Sequence, residues 1–265
     1  MKTLEGIGIK VFLILNDLND KQIAKEGKAR GKHKNWIGSL IPNNEIAGRQ
    51  IASQLLDAAK LKFGKPGQII AISGNRSTPA SVEREMGMKN HVEGKSKLLQ
   101  VVYGEWNEEK SYQRTKSLLD RYKEANIIWA ANDPMTFGAL KAVKEKGLSS
   151  GKDILVGGLN WSIPAVNKVI EGEMVTTVGG HFMSGGWAMV MLYDYINGID
   201  FAKEGNAQLK YDIFGVINKS NASNYLKHFK DENWSAIDFK KFTKKHNPGK
   251  KDYNFGLDPI LEQFK

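Results

Sequence analysis

The strongest constraint on the fold is an order of elements that recurs along the chain: a short β-branched run, a polar break, then an amphipathic stretch. Three copies read "GQIIAISGNRSTPASVEREMG", "NIIWAANDPMTFGALKAVKEKG" and "DILVGGLNWSIPAVNKVIEGE". Alternation of this kind predicts βαβ units and a parallel sheet. Ligands of open α/β sheets bind beyond the carboxyl ends of the strands, so the polar breaks are where candidate ligand residues are expected.

The second copy places Asn132 and Asp133 directly after its strand. An asparagine amide offers donors and an acceptor, which suits a neutral hydroxyl-rich ligand, and a turn residue that satisfies the backbone is the alternative for Asn132. Asp133 is predicted to be the N-cap of a helix that starts at Pro134. Gly147 is predicted to end that helix.

The other two copies give similar local predictions. The first predicts a strand over 68–73, followed by a polar loop. In the third, Ser162 is the candidate N-cap, and Val166, Val169 and Ile170 form the predicted buried stripe of the next helix.

Composition limits the class of protein. The 265 residues are 41% hydrophobic, enough for a sizeable core in one large domain or two small lobes. There is no cysteine, which excludes disulfides, thiolate catalysis and cysteine-bound metal. We expect no membrane-spanning helix, because no apolar run approaches about 20 residues, and no secretion signal in the printed sequence.

Enzyme and metal signatures are scarce. The sequence has no Walker A motif, no G-x-S-x-G and no H-E-x-x-H, so we predict no catalytic residue and no cofactor. None of the five histidines has a second histidine at metal-ligand spacing, so no metal site is predicted. His181, in "VTTVGGHFMSGGW", is a candidate to face a cleft, with a structural histidine as the alternative.

The formal net charge is +10, from 39 basic and 29 acidic residues. Six lysines cluster near the C-terminus: Lys240, Lys241, Lys244, Lys245, Lys250 and Lys251. Four aromatic residues lie among them and are expected to pack this segment onto the rest of the protein: Phe239, Phe242, Tyr253 and Phe255. Nucleic-acid motifs are lacking, so we predict a solvated basic surface and no nucleic-acid partner.

Six segments taken in order resemble the type I periplasmic binding proteins of sugar ABC transporters, the ribose-binding family. They are "LILND", "WIGSLIPNNEIAG", "ISGNRSTPASVERE", "ANDPMTFGALKAVKEKG", "ILVGGLNWS" and "TVGGHFMSGGWAMVMLYDYINGIDF". The resemblance covers about residues 5–220, and its most specific part is "ANDPMTFGALKAVKEKG" followed by "ILVGGLNW". The same fold serves autoinducer receptors and the effector domains of transcriptional repressors.

The resemblance implies an α/β, two-lobed type I periplasmic-binding-protein fold with parallel sheets flanked by helices, its first lobe incomplete. Family members begin with a signal peptide and about three βα units before the strand expected here near residue 9, and we expect those units to be missing. The implied division is 1–40 and 181–215 for the remnant of the N-terminal lobe and 41–180 for the C-terminal lobe. Residues 216–265 would be a final crossover strand and a basic tail.

Eight positions are implied to bind the ligand: Asn16, Asp17, Arg76, Trp106, Asn132, Asn160, Trp161 and His181. Trp106 would offer a flat apolar face to a sugar ring, and packing is the alternative for both tryptophans. Arg76 is a substitute for a family arginine that aligns with Val82. Asn160 stands where many relatives have aspartate, which exchanges a charged acceptor for an amide.

The implied function is binding rather than catalysis: a periplasmic solute-binding protein that captures a sugar or sugar-like polar solute in an interlobe cleft for ABC import. Its partners would be the small-molecule ligand and an ABC permease in the membrane, or a membrane sensor kinase. The alternative is a ligand-sensing receptor module, either for autoinducer-type signalling or as a repressor effector core. A small α/β enzyme is a third hypothesis, disfavoured by the missing nucleophile and base.

Overall fold

The computed structural model describes residues 2–230 and 234–264. It divides into two compact units. Unit 1 comprises Met1–Asn43, Gly180–Ile213 and Trp234–Lys265, and unit 2 comprises Asn44–Gly179 and Phe214–Asn233. The sequence-based segment 216–265 is therefore shared between the units, because its first part pairs within the sheet of unit 2 and residues 234–264 pack within unit 1.

The described residues form the following strands: β1 (Val11–Ile14), β2 (Trp36–Pro42), β3 (Gln68–Ser73), β4 (Lys97–Tyr103), β5 (Ile127–Ala130), β6 (Leu155–Leu159), β7 (Thr176–Gly179), β8 (Gln208–Tyr211) and β9 (Gly215–Asn218). The α-helices are α1 (Lys2–Gly6), α2 (Asp20–Glu26), α3 (Asn44–Phe63), α4 (Pro79–Val92), α5 (Glu108–Arg121), α6 (Asp133–Glu145), α7 (Ile163–Glu171), α8 (Ser184–Ile196), α9 (Ala222–Phe229) and α10 (Asp258–Leu261). Short 3-10 turns cover His181–Met183, Trp234–Ala236, Phe239–Phe242 and Glu262–Phe264. No helix in this described part of the chain combines the length and apolar character needed to cross a membrane.

Unit 2 is built on a sheet whose described strands lie in the order β4-β3-β5-β6-β7-β9. All neighbours pair in parallel except β9, which pairs antiparallel with β7. The right-handed crossovers through α4 and α5 run in opposite directions across the sheet, so α3 and α4 cover one face and α5 and α6 the other. The predicted α/β class, with parallel sheets flanked by helices, is confirmed.

The core of unit 2 lies between this sheet and its helices. Because both faces are covered, β5 is buried along its whole length, and Trp129 is completely buried while its indole N–H donates to the Gly48 carbonyl at 3.2 Å. The predicted strand over 68–73 is confirmed as β3. Val166, Val169 and Ile170 were predicted to form the buried face of α7. Val166 and Val169 are buried, but the prediction is wrong for Ile170, which lies in the last turn of the helix and is partly exposed.

Helices α3 and α4 approach each other through two glycines. A Cβ added to Gly48 would lie 1.9 Å from the Arg84 carbonyl oxygen, and one added to Gly87 would lie 1.9 Å from the Glu45 carbonyl oxygen. Only glycine permits this backbone-to-backbone contact. The crossing brings the side chain of Arg84 to the carboxyl end of β5, where it donates to the Ala131 carbonyl.

Unit 1 contains a smaller parallel sheet, with its described strands in the order β1-β2-β8. Helix α8 packs on β1 and β2. On α8, Trp187 is buried and stacks on Phe255 at a centroid distance of 4.8 Å, with Phe239 and Phe242 also in contact. The predicted packing of the C-terminal aromatic residues onto the protein is confirmed, within unit 1.

A buried carboxylate anchors the same segment. Asp194 of α8 is completely buried and accepts hydrogen bonds from the backbone N–H of Lys244 at 2.7 Å and of Lys245 at 2.9 Å. The Tyr253 hydroxyl donates to the same carboxylate at 2.9 Å. Three donors on one buried acceptor hold the basic segment in place.

Candidate functional site

The candidate site lies at the carboxyl edge of the unit 2 sheet. Because β3 to β7 run parallel, the loops that follow them emerge at one edge. These loops contain Arg76, Trp106, Asn132, Asn160 and Trp161. Five of the eight predicted ligand residues therefore belong to this edge, and the other three belong to unit 1.

Asn132 follows β5 and is 9% exposed. It is the N-cap of α6, in extended backbone conformation, and its Oδ1 accepts from the Met135 N–H at 2.9 Å. The prediction that Asp133 caps this helix is wrong, because the helix begins at Asp133 and the cap lies one residue earlier. Capping occupies the amide oxygen of Asn132 and leaves its Nδ2 as the group able to donate to a ligand.

Asp133 has a different role, in which it joins the loops after β5 and β6 to strand β7. Its Oδ2 accepts from the N–H and hydroxyl of Ser162 at 3.1 and 2.8 Å, and its Oδ1 accepts from the Thr177 hydroxyl at 2.9 Å. Thr177 Oγ1 accepts in turn from the Trp161 N–H at 3.2 Å. Complete burial raises the pKa of Asp133 to about 6, against the opposing effect of these donors. Asp133 thus fixes the loop that carries Asn160.

Asn160 and Trp161 follow β6, and their side chains have different roles. The Asn160 N–H donates to the Val178 carbonyl at 2.7 Å, and its half-buried side-chain amide has no hydrogen-bond partner among the described residues. Trp161 is 3% exposed and has a left-handed φ of 59°. Its indole N–H donates to the Gly215 carbonyl at 3.1 Å, and its ring packs edge-on against Tyr225. The amide is available to a ligand, and the indole serves packing.

Trp106 lies over the loop that follows β3. Its φ is 60°, it is half-buried, and a Cβ added to Gly74 would meet its ring at 2.2 Å. The absence of a side chain at Gly74 therefore allows the indole to lie flat against the backbone. The guanidinium carbon of Arg84 lies over the Trp106 ring, 5.7 Å from the ring centroid.

Arg84 is a residue of this edge that the sequence reasoning missed. It is only 5% exposed, its Nε donates to Asn44 Oδ1 at 3.0 Å, and its Nη1 donates to the Ala131 carbonyl at 2.9 Å. Burial lowers its pKa to about 10. Its guanidinium also lies 5.8 Å from the Phe214 ring centroid. No local sequence signal marks it, because its burial depends on the α3–α4 crossing at Gly48 and Gly87.

Arg76, the predicted substitute for the family arginine, is exposed, and its guanidinium carbon lies 4.3 Å from the Tyr103 ring centroid. Val82, at the position of the family arginine, is 49% exposed. Arg76 thus contacts the end of β4.

Three predicted residues belong to unit 1. The Asp17 Oδ2 accepts from Ser39 Oγ at 2.9 Å and from Gln208 Nε2 at 2.8 Å, which ties β1 to β2 and β8. Asn16 is exposed, and its N–H donates to the Ile14 carbonyl at 2.8 Å. His181 begins a 3-10 turn, and its carbonyl accepts from Ser184 Oγ at 2.6 Å. In this unit, Asp17 holds the sheet together.

The chemistry of the unit 2 edge is that of polar recognition. It combines amide donors from two asparagines, a flat indole face and a buried guanidinium. Among the residues that the structure describes, no three His, Cys, Asp or Glu side chains are grouped to hold a metal ion. Asp133, a buried carboxylate of the edge, already accepts three protein hydrogen bonds.

Comparison with known proteins agrees with this fold. The family model described as periplasmic binding protein domain matches residues 29–200. A ribose import binding protein of Haemophilus influenzae is 30% identical over 161 residues, 60% of this chain and 53% of that protein. A galactofuranose-binding protein of Escherichia coli is 24% identical over 184 residues, 67% of this chain and 54% of that protein. The chain thus spans about half the length of the curated relatives it matches.

The solved structures extend the similarity over almost the whole chain. A periplasmic sugar-binding protein from Pseudomonas fluorescens is 32% identical and superposes with a TM-score of 0.82, covering 98% of this chain and 76% of that one. The fold and the motifs that predicted it agree with the family model. The chain therefore belongs to the type I periplasmic binding protein family.

Proposed function

We propose that this protein is a solute-binding protein that captures a neutral, hydroxyl-rich solute, a sugar or a sugar-like molecule, for import by an ABC permease. The observation that carries the proposal is the set of uncharged groups at the carboxyl edge of unit 2: the amides of Asn132 and Asn160 and the indole of Trp106. Relatives named for ribose import and galactofuranose binding support it.

The hydrogen-bond inventory argues for a neutral ligand. The Nδ2 of Asn132 donates, and the free amide of Asn160 both donates and accepts, which matches hydroxyl groups that do the same. Asp133 is completely buried and accepts three hydrogen bonds, so this edge does not offer it as the partner of a ligand cation. The indole of Trp106 provides an apolar face for the C–H surface of a sugar ring.

The role is binding, not catalysis, and the proposed location is the periplasm, both on the basis of family membership. Relatives named as import binding proteins favour transport over the sensory alternative. The membrane partner proposed is accordingly an ABC permease rather than a sensor kinase.

Calorimetry with a panel of pentoses and hexoses tests the proposal. Asn132→Asp keeps the oxygen that caps α6 and removes the Nδ2 donor, so any loss of affinity reports on the ligand rather than on the helix. Losing a buried donor to a hydroxyl costs about 1–3 kcal/mol, so we expect affinity to fall by about tenfold or more.

Asn167→Asp, an exposed asparagine of α7, is the matched control and should change affinity by less than about twofold. Binding of a sugar with unchanged affinity in Asn132→Asp would show that Asn132 is not a ligand residue. Failure of the wild-type protein to bind any neutral sugar or polyol would refute the proposed ligand class.

A further inference from the structure

Strand β4 leaves one edge of the unit 2 sheet open. It is the first strand in the order β4-β3-β5-β6-β7-β9, and its only pairing among the described strands is with β3. The Gly104 N–H donates to the Ser73 carbonyl at 2.8 Å. Because hydrogen bonds alternate along a parallel strand, the backbone groups of Val102 point toward β3, and those of Val101 and Tyr103 point away from the sheet. These outward groups are available to an added strand.

A groove flanks this edge on the side of α5; we name it the α5-side groove. It has a volume of ≈ 660 Å³ and is lined by residues of β4 and α5. Arg76, Lys110 and Arg114 lie along it, and none of the three has a carboxylate within ion-pair distance among the described residues. Of its two carboxylates, Glu109 pairs with Lys141, and Glu105 accepts from the neutral amide of Asn75 and keeps its charge. The three cations of the lining outnumber its two carboxylates, so this groove carries net positive charge.

A second groove, the α4-side groove, flanks the same edge on the other face of the sheet. It has a volume of ≈ 390 Å³. Val82 and Met86 of α4 line it and are 49% and 42% exposed. Its lysine, Lys89, is paired with Glu85 at 2.6 Å, and Arg76 lines this groove as well as the α5-side groove. The α4-side groove therefore presents two exposed apolar side chains and fewer unpaired cations than the α5-side groove.

We propose that the β4 edge binds an extended peptide segment in which acidic and apolar residues alternate. Successive side chains of a strand point to opposite faces of the sheet, so a strand added to β4 places one set over the α5-side groove and the other over the α4-side groove. Acidic side chains meet Arg76, Lys110 and Arg114, and apolar ones cover Val82 and Met86. The outward backbone groups of Val101 and Tyr103 supply the hydrogen bonds.

A second copy of the chain matches this edge less well. The sequence of β4 is KLLQVVY, which contains a lysine and no carboxylate. Pairing of β4 with itself would bring no negative charge to the α5-side groove. Charge complementarity therefore selects an acidic partner strand.

Fluorescence anisotropy with a labelled nonapeptide of alternating glutamate and valine tests the proposal. The control peptide has the same composition, with all glutamates at one end, and we expect it to bind at least about tenfold more weakly. Arg114→Glu should weaken binding of the alternating peptide by tenfold or more. Lys144→Glu, an exposed lysine of α6, carries the same charge change and should leave binding within about twofold.

The backbone contact is tested separately. Amide hydrogen exchange at Val101 and Tyr103 should slow on adding the alternating peptide to the wild-type protein, and Val101→Pro should abolish binding, because proline lacks the outward N–H and is tolerated at sheet edges. Equal binding of the two peptides, or unchanged exchange at these two amides, would overturn the proposal. Sedimentation showing a dimer that Val101→Pro dissociates would overturn it in favour of a second copy.

Discussion

Neutralising Asp133 is expected to remove a specific pH dependence of stability. Burial raises the pKa of Asp133 from 3.8 to about 6 in the folded protein. The folded state therefore binds a proton between about pH 4 and 6 that the unfolded state does not bind. The stability linked to this proton is fully present below about pH 4 and is lost as the pH rises through about 6. The asparagine side chain of the Asp133→Asn variant cannot ionise, so the variant lacks this pH dependence of stability.

The magnitude follows from the size of the shift. A displacement of about two pKa units corresponds to roughly 3 kcal/mol, at about 1.4 kcal/mol per unit. Asparagine can keep a hydrogen bond to each partner, since its Oδ1 can accept from Ser162 while the Thr177 bond reverses and the hydroxyl oxygen accepts from its Nδ2. The free energy of unfolding of the wild-type protein relative to Asp133→Asn should therefore fall by roughly 3 kcal/mol between pH 4 and 7.

Urea unfolding of both proteins at intervals of half a pH unit, followed by tryptophan fluorescence, measures this difference. Asp120→Asn is the control, because hydrogen bonding to Lys146 lowers the pKa of Asp120 below 3.8. The stability linked to Asp120 is lost only as the pH falls below about 4, so the wild-type difference for this control should be nearly constant between about pH 5 and 7. If the Asp133 difference is constant or increases with pH, the three donors outweigh burial and the argument from desolvation is wrong.

Two further predictions concern the packing, the first with its own control substitution. Gly48→Ala should destabilise the protein by about 2 kcal/mol or more, since its Cβ would lie 1.9 Å from the α4 backbone; Gly185→Ala, with nothing within 4 Å, should be neutral or slightly stabilising in urea unfolding. Comparable losses for both would contradict the close crossing. Asp194→Ala removes the buried acceptor of Tyr253 and two backbone donors, so limited proteolysis within 234–264 should accelerate by at least about tenfold. An unchanged cleavage rate would show that aromatic packing alone holds the segment.

The sheet of unit 2 was predictable because its signals are local. Strand β3 and the polar breaks after β5 and β6 can be read from β-branched runs and helix-starting residues close in sequence. Ser162 was identified as an N-cap in this way, and its Oγ accepts from the Ala165 N–H at 3.4 Å. Asn132 was identified as a residue of the carboxyl edge for the same reason.

Roles that depend on distant contacts were not predictable. Asp133 looked like a cap because it precedes a proline, but Thr177, 44 residues away, and Ser162, 29 residues away, determine its role. Arg84 was not singled out from the sequence, because its burial depends on the approach of α3. The ligand contacts themselves stay predictions, because the amides of Asn132 and Asn160 show what this edge can bond to and not what it binds.

The strand orders have a consequence for how the chain folds during synthesis. The β1-β2-β8 sheet receives its last strand from Gln208–Tyr211, and the unit 2 sheet receives β9 from Gly215–Asn218. Strand β2 ends at Pro42, so it must wait for more than 160 further residues before β8 can pair with it. Such long-range pairings close slowly. Both sheets are therefore completed only when residues 208–218 leave the ribosome, and each unit then still requires later residues, α9 for unit 2 and 234–264 for unit 1.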